Sequence, residues 1–255
     1  MKSLPKVLFI FASLCVVSLP TYLYLYGKKE TKPKVLTTLI QKTSFSTPIS
    51  PRFFSDYLML NPSGKWLEIS KLDETKIENK LKEFPIFDKI QAHILSTGEL
   101  EIAYDLKKPQ FLLADFTNLA IDPKGSIFPL RPFFPPKKIP QVYLGIQSID
   151  WKSINNIKKA LQIQKILDEI LDDEIDIEMI DLSNQDHKVS SLKQIVVTLS
   201  YKGIKHYLRL SPDHLEKALL RYLTLYKEND LNEFLSSNLV FDARFKKFAT
   251  LKMLP

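Results

Sequence analysis

The run "VLFIFASLCVVSLPTYLYLYG", Val7 to Gly27, carries no charged side chain. In a helix rising about 1.5 Å per residue, it is just long enough to cross a hydrocarbon core of about 30 Å. A cleaved secretory signal is the alternative, but its apolar core would be shorter and an A-x-A-like site would follow. No such site is present. Tyr22, Tyr24 and Tyr26 gather at one end, as aromatic side chains do at a membrane interface, and Pro20 is tolerated near the end of a spanning helix. The expectation is an uncleaved anchor. Its flanking charges do not orient it: Lys2, Lys6 and the terminal amine stand on one side, Lys28, Lys29, Lys32 and Lys34 on the other. The single cysteine, Cys15, lies inside the run, so no intramolecular disulfide is possible. Leu14 precedes it, where a lipoprotein site needs a small residue.

The whole chain has 255 residues, enough for one large or two small domains. At 45% hydrophobic and 25% charged, most of it is expected to fold. The net charge of +7 admits nucleic acid or an anionic membrane surface as partners. No basic block interleaves with aromatics on one helix, so nucleic-acid binding is not expected. The acids instead concentrate in "DEILDDEIDIEMID", Asp168 to Asp181.

Beyond a linker, "KKETKPK" (Lys28 to Lys34), the pattern predicts two units. The first runs from a strand at Val35 to Phe45, through a helix at Ser50 to Leu60 with Ser50 as cap and Pro51 at its first position. A turn at Asn61 to Gly64 leads to a helix at Lys71 to Phe84 capped by Asp73, then strands at Lys89 to Leu95 and Glu99 to Lys108. This β-α-α-β-β order describes a small α+β unit. The second begins near Pro109 with short strands around "LAIDPKGSIFPL", where Asp122, Pro123 and Gly125 suit a tight hairpin turn. "RPFFPPKKIP" is too proline-rich for a helix or a central strand. A helix is expected over Trp151 to Leu171 and an alternating half-buried strand over Ile175 to Leu182. Two strands joined by a Lys-Gly turn follow over Leu192 to Ser211. A helix capped by Ser211 and a final strand over Asn238 to Leu254 complete the unit.

The chemistry of known active sites is missing. His93, His187, His206 and His214 are scattered and read as surface residues, with none at metal-ligand spacing. There is no G-x-S-x-G, P-loop or G-x-G-x-x-G. The acids Asp168, Glu169, Asp172, Asp173 and Glu174 finish a helix and read as a solvated face rather than a cation loop. No catalytic residue, cofactor or metal is expected, and the residues read as an anchored two-part scaffold with no visible active site.

The order of these elements resembles the bacterial cell-division family FtsQ/DivIB. "EFPIFDKIQAHILSTGELEIAY" (Glu83 to Tyr104) is similar to the end of that family's POTRA domain. "LKKPQFLLADFTNLAIDPKGSIFPL" (Leu106 to Leu130) resembles the start of its β domain, and "IPQVYLG" (Ile139 to Gly145) its L-P-x-h-x-G step. "SPDHLEKALLRYL" matches its penultimate helix, with Lys217 at the lysine position, and "VFDARFKKFATL" its last strand. Leu106 stands where the family usually has an acid, and Lys247 and Phe248 where its last hairpin usually has a glycine.

The resemblance implies an α+β fold: a cytoplasmic tail (1–6), a single N-terminal transmembrane helix (7–27), a linker (28–34), a POTRA domain (35–108) and a mixed β-sheet domain with flanking helices (109–255). It implies a non-enzymatic divisome scaffold in the cytoplasmic membrane at the division site, with the N-terminus cytoplasmic and the body outside. The implied partners are FtsB-like and FtsL-like proteins and, through them, the FtsW and FtsI septal synthases. The POTRA unit would help in localisation. Partner binding would be strand addition at the last strand, through Arg244, Phe245, Lys246, Lys247, Phe248, Ala249 and Thr250. The alternatives are another POTRA-bearing assembly factor and a membrane-anchored envelope enzyme.

Overall fold

The computed structural model describes residues 34–136, 138–149, 157–171, 175–228 and 236–254. The chain divides into two units, residues 34–81 with Ile90–Tyr104, and Lys82–Lys89 with residues 105–254. Both are α+β. Among the described residues no helix is long and apolar enough to cross a membrane, so for these residues the expected fold class is corrected to α+β without a spanning helix. The run Val7 to Gly27, on which that expectation rested, lies outside the described residues, as do Lys28 to Pro33 of the linker.

The first unit holds a three-stranded sheet in the order β1-β3-β2, with β1 (Thr38–Lys42), β2 (Phe87–Ile94) and β3 (Glu99–Leu106). β1 runs parallel to β3, from Thr38 beside Glu99 to Lys42 beside Ala103. β3 alternates strictly: Leu100, Ile102, Tyr104 and Leu106 are buried, with half-buried residues between them. That period of two is what a strand with one face on a core requires. Helices α1 (Pro51–Tyr57) and α2 (Glu74–Lys82) supply the other core residues, Phe54, Ile77 and Leu81. Asp73 caps α2, accepting the Lys76 N–H at 3.1 Å. Ser50 does not cap α1 with its side chain; that helix starts on Pro51 alone.

The second unit is built on a nine-stranded mixed sheet. Its strands are β4 (Phe111–Leu113), β5 (Leu119–Ile121), β6 (Ile127–Pro129), β7 (Gln141–Tyr143), β8 (Asp176–Asp181), β9 (Ile195–Tyr201), β10 (Ile204–Leu210), β11 (Leu239–Ala243) and β12 (Thr250–Met253). The spatial order is β12-β11-β10-β9-β8-β7-β4-β5-β6. Helices α3 (Lys158–Asp168) and α4 (Leu215–Glu228) supply Ala160, Ile163, Leu167, Leu219, Tyr222 and Leu223 to a core shared with Val142, Ile180, Val197, Leu208 and Phe241. The first turns expected for α3, at residues 151–156, lie outside the described residues, as do Asp172, Asp173 and Glu174 of the acidic run.

Four expectations change. The strand over Ile175 to Leu182 does not alternate throughout, because Met179 and Ile180 are adjacent apolar residues. A bulge between Ile177 and Met179 absorbs the change of phase, pairing Ile177 with Leu199 but Met179 with Thr198. Ser211 does not cap α4 directly, since that helix begins at Leu215. Ser211 instead holds a turn, accepting the Asp213 N–H on Oγ and the His214 N–H on its carbonyl, both at 3.3 Å. His206 is not a surface residue. It is buried beneath α4, with Nδ1 2.8 Å from the Tyr222 hydroxyl. The expected final strand is two strands, β11 and β12, joined by a bend over residues 244–249.

The hairpin at "IDPKGSI" forms between β5 and β6. Asp122 Oδ1 accepts the N–H of Lys124 at 2.9 Å and of Ser126 at 2.7 Å, its carbonyl accepts the Gly125 N–H, and Gly125 has φ of +85°. The carboxylate is buried and carries both bonds, so Asp122→Ala should lower stability by about 2 kcal/mol. The change in urea midpoint of the full-length protein, with an unchanged slope, measures it.

Candidate functional site

A sheet exposes its chemistry at its terminal strands, where one row of backbone N–H and C=O groups has no strand beside it. The two sheets have four such strands. On β2, α2 occupies two amides of the row: Glu78 Oε1 accepts the Ala92 N–H at 3.1 Å and Glu74 Oε1 accepts that of Ile94. On β6, Ile127 and Phe128 are buried, and Phe134 packs on Phe128 with centroids 5.6 Å apart. β1 shows no large exposed apolar side chain, and its Gln41 accepts from the Tyr104 hydroxyl at 2.8 Å. β12 is different. All four of its residues are exposed, and Leu251 and Met253 are apolar, 47% and 50% exposed.

The register fixes which groups of β12 face outwards. β12 runs antiparallel to β11, pairing Met253 with Leu239, Lys252 with Val240, Leu251 with Phe241 and Thr250 with Asp242. The Leu254 N–H donates to the Asn238 carbonyl at 2.8 Å. Inward and outward amides alternate along a strand, so Lys252 and Thr250 also bond β11, while the N–H and C=O of Leu251 and Met253 point away from the sheet. Directly paired residues share a face. Leu251 therefore lies on the helix-covered face with Phe241, which is packed against Tyr222 of α4 at 5.5 Å between centroids. Lys252 lies on the opposite face, in line with Val240 and Tyr207.

The bend before β12 holds most of the sequence-predicted site residues. Phe245 and Phe248 stack on one another, with ring centroids 4.7 Å apart and planes within 16°, and each is about half exposed. Lys246 and Lys247 are exposed, Ala249 packs against the core, and Thr250 opens β12. Arg244 is not available in the same way. Its Nη2 donates to Asp242 Oδ2 at 2.7 Å, its Nε to Asp242 Oδ1 at 2.9 Å and its Nη1 to the Ser191 carbonyl at 3.0 Å. Arg209 adds a second cation, its Nη1 3.3 Å from Asp242 Oδ2. Burial alone would raise the Asp242 pKa. The Arg244 hydrogen bonds and the charges of both arginines outweigh it and hold the carboxyl below its ordinary value. Arg244 anchors the bend rather than presenting a charge.

A second arginine was missed by sequence reading. Arg221, on α4, donates from Nη1 to the Phe245 carbonyl at 3.0 Å and to that of Phe248 at 3.4 Å, and from Nη2 to the Lys246 carbonyl. Its only sequence signal is a position on the less buried side of an amphipathic helix, which does not distinguish it from a solvated cation. Leu251 and Met253 were also missed, because the expected single strand had no second edge on which to place them.

The chemistry available here is recognition. Two outward amides, two outward carbonyls, two exposed aliphatic side chains, a stacked aromatic pair and three lysines (246, 247 and 252) suit an extended segment with apolar and acidic side chains. Among the described residues there is no group of three or more His, Cys, Asp or Glu side chains placed to hold a metal. No family model and no curated protein matches this chain.

Asp242 links stability to pH. Its stabilising contribution is fully present above the unfolded-state carboxylate value, about 3.9, and is lost as pH falls through its lower folded-state value. Asp242→Asn should cost about 2 kcal/mol near neutral pH, and the difference from wild type should shrink towards acid. Urea titrations of both proteins across that range check it.

Proposed function

We propose that this chain is a non-enzymatic scaffold of the bacterial division machinery, resembling FtsQ/DivIB, which receives a strand from an FtsB-like partner on β12. FtsL-like proteins and the FtsW and FtsI synthases would join through that partner. The body would act outside the cytoplasm, at the division site of the cell envelope. The observation that carries this reading is the outer row of β12: the N–H and C=O groups of Leu251 and Met253 point away from the sheet, and their apolar side chains are about half exposed on one of its faces. Strand addition uses such a row for affinity and the flanking side chains for specificity. Arg221 and Arg244 support the reading further, since a bend held at both ends loses less conformational freedom when a partner docks. Lys246 and Lys247 suit an acidic partner segment.

Leu251→Pro removes one outward donor and leaves the inward bonds of Lys252 and Thr250 to β11 in place, and proline is tolerated on an edge strand. In full-length protein this change should weaken binding of the soluble part of the same organism's FtsB-like protein about tenfold. Leu251→Ala should weaken it less, and Lys246→Glu with Lys247→Glu should slow association. Isothermal titration and stopped-flow mixing measure these, with circular dichroism to show the fold intact. Full-strength binding by Leu251→Pro would move the interface off β12.

A further inference from the structure

An open edge that accepts a partner strand can also accept its own copy. The geometry points to Lys252 as the residue that prevents this: we propose that Lys252 excludes a second copy of the chain from β12 by setting two ammonium groups against one another. The register of β12 sets this exclusion, whichever partner the strand serves.

Two copies of β12 would meet about a twofold axis, antiparallel, with outward amides bonded to outward carbonyls. Only Leu251 and Met253 carry outward groups within the strand. The arrangement that uses both in each copy sets Leu251 opposite Met253 of the other, and Met253 opposite Leu251. Lys252 then falls on the axis, directly opposite itself. That central position is a non-hydrogen-bonded pair, the closer kind, with Cα atoms about 4.5 Å apart. Both lysines lie on the face opposite Phe241 and α4, and β12 is exposed there. Like charges directly opposite destabilise a pair. Moving the register by two residues either way separates the lysines but leaves one bonded pair within the strand instead of two. The favourable register is therefore the one that Lys252 penalises.

The same residue sets what a heterologous strand must offer. A partner placing an acidic side chain opposite Lys252, with apolar residues on either side of it, gains an opposite-charge pair where a second copy meets repulsion.

The test uses the full-length protein, with sedimentation velocity for association and hydrogen exchange for the amides of Leu251 and Met253. Lys252→Val should self-associate about tenfold more tightly than wild type, with both amides slowed. Lys252→Glu alone should not pair, but mixed with wild type it should, slowing the same two amides. Circular dichroism shows whether each variant keeps the fold. Lys252→Val and the mixture behaving as wild type would overturn the proposal. So would association that leaves the Leu251 and Met253 amides fast, or a wild-type protein already paired through them. None of these outcomes bears on whether an FtsB-like strand binds.

Discussion

The parallel pairing of β10 with β11 is the constraint from which the candidate site follows. His206 to Leu210 lie beside Leu239 to Ala243 in the same direction, so the chain must cross back before it can pair. Helix α4 forms part of that crossing, and it buries Leu215, Ala218, Leu219, Tyr222, Leu223 and Tyr226. Each fully buried side chain of this kind contributes about 2 kcal/mol, so α4 is fixed on the sheet by its apolar side. Its less buried side is fixed with it, and there Arg221 reaches the carbonyls of the bend. The position of β12 is thus set by packing that lies beneath a different strand.

The sheets treat their edges by different chemistry. Glu74 and Glu78 occupy two amides of β2, those of Ile94 and Ala92, with carboxylates, a pairing that satisfies these donors without another strand. β6 is short, ends in Pro129 and has Phe128 buried against Phe134. Among the described residues β12 has neither device, and its deterrent is charge. A carboxylate plug or a proline closes an edge to every strand. A lysine closes it to some strands and opens it to others, which is the difference between protection and selection.

The sequence made part of this legible. Strict alternation from Leu100 to Leu106 marked β3, and the Asp-Pro-x-Gly turn marked the β5–β6 hairpin, because both signals are local. The amphipathic run after Ser211 marked α4 as a helix. What stayed hidden depends on residues far apart in the chain. The burial of His206 required α4 to lie over β10, and histidine has no preference strong enough to show it. The bulge in β8 was written in the adjacent pair Met179 and Ile180, yet its consequence depended on the phase of β9. In the candidate site, Phe245, Lys246 and Lys247 came from the family resemblance, and the structure places them on an exposed bend. Arg221 and the outward set of Leu251 and Met253 needed the hairpin's register. Arg244 was found, but its role changed once Asp242, Arg209 and the Ser191 carbonyl were seen around it.

That last cluster has an evolutionary consequence. Asp242 draws on cations from β10 and from the bend, and Arg244 in turn reaches the segment before β9. A single change at any of these positions leaves a charge without its counterpart in a partly dry setting, so drift at one site is blocked until another has moved. In descendants of this chain the carboxylate and its two guanidinium partners should be inherited together or replaced together, while Lys246 and Lys247, whose side chains are exposed on the bend, are free to follow whatever strand they meet.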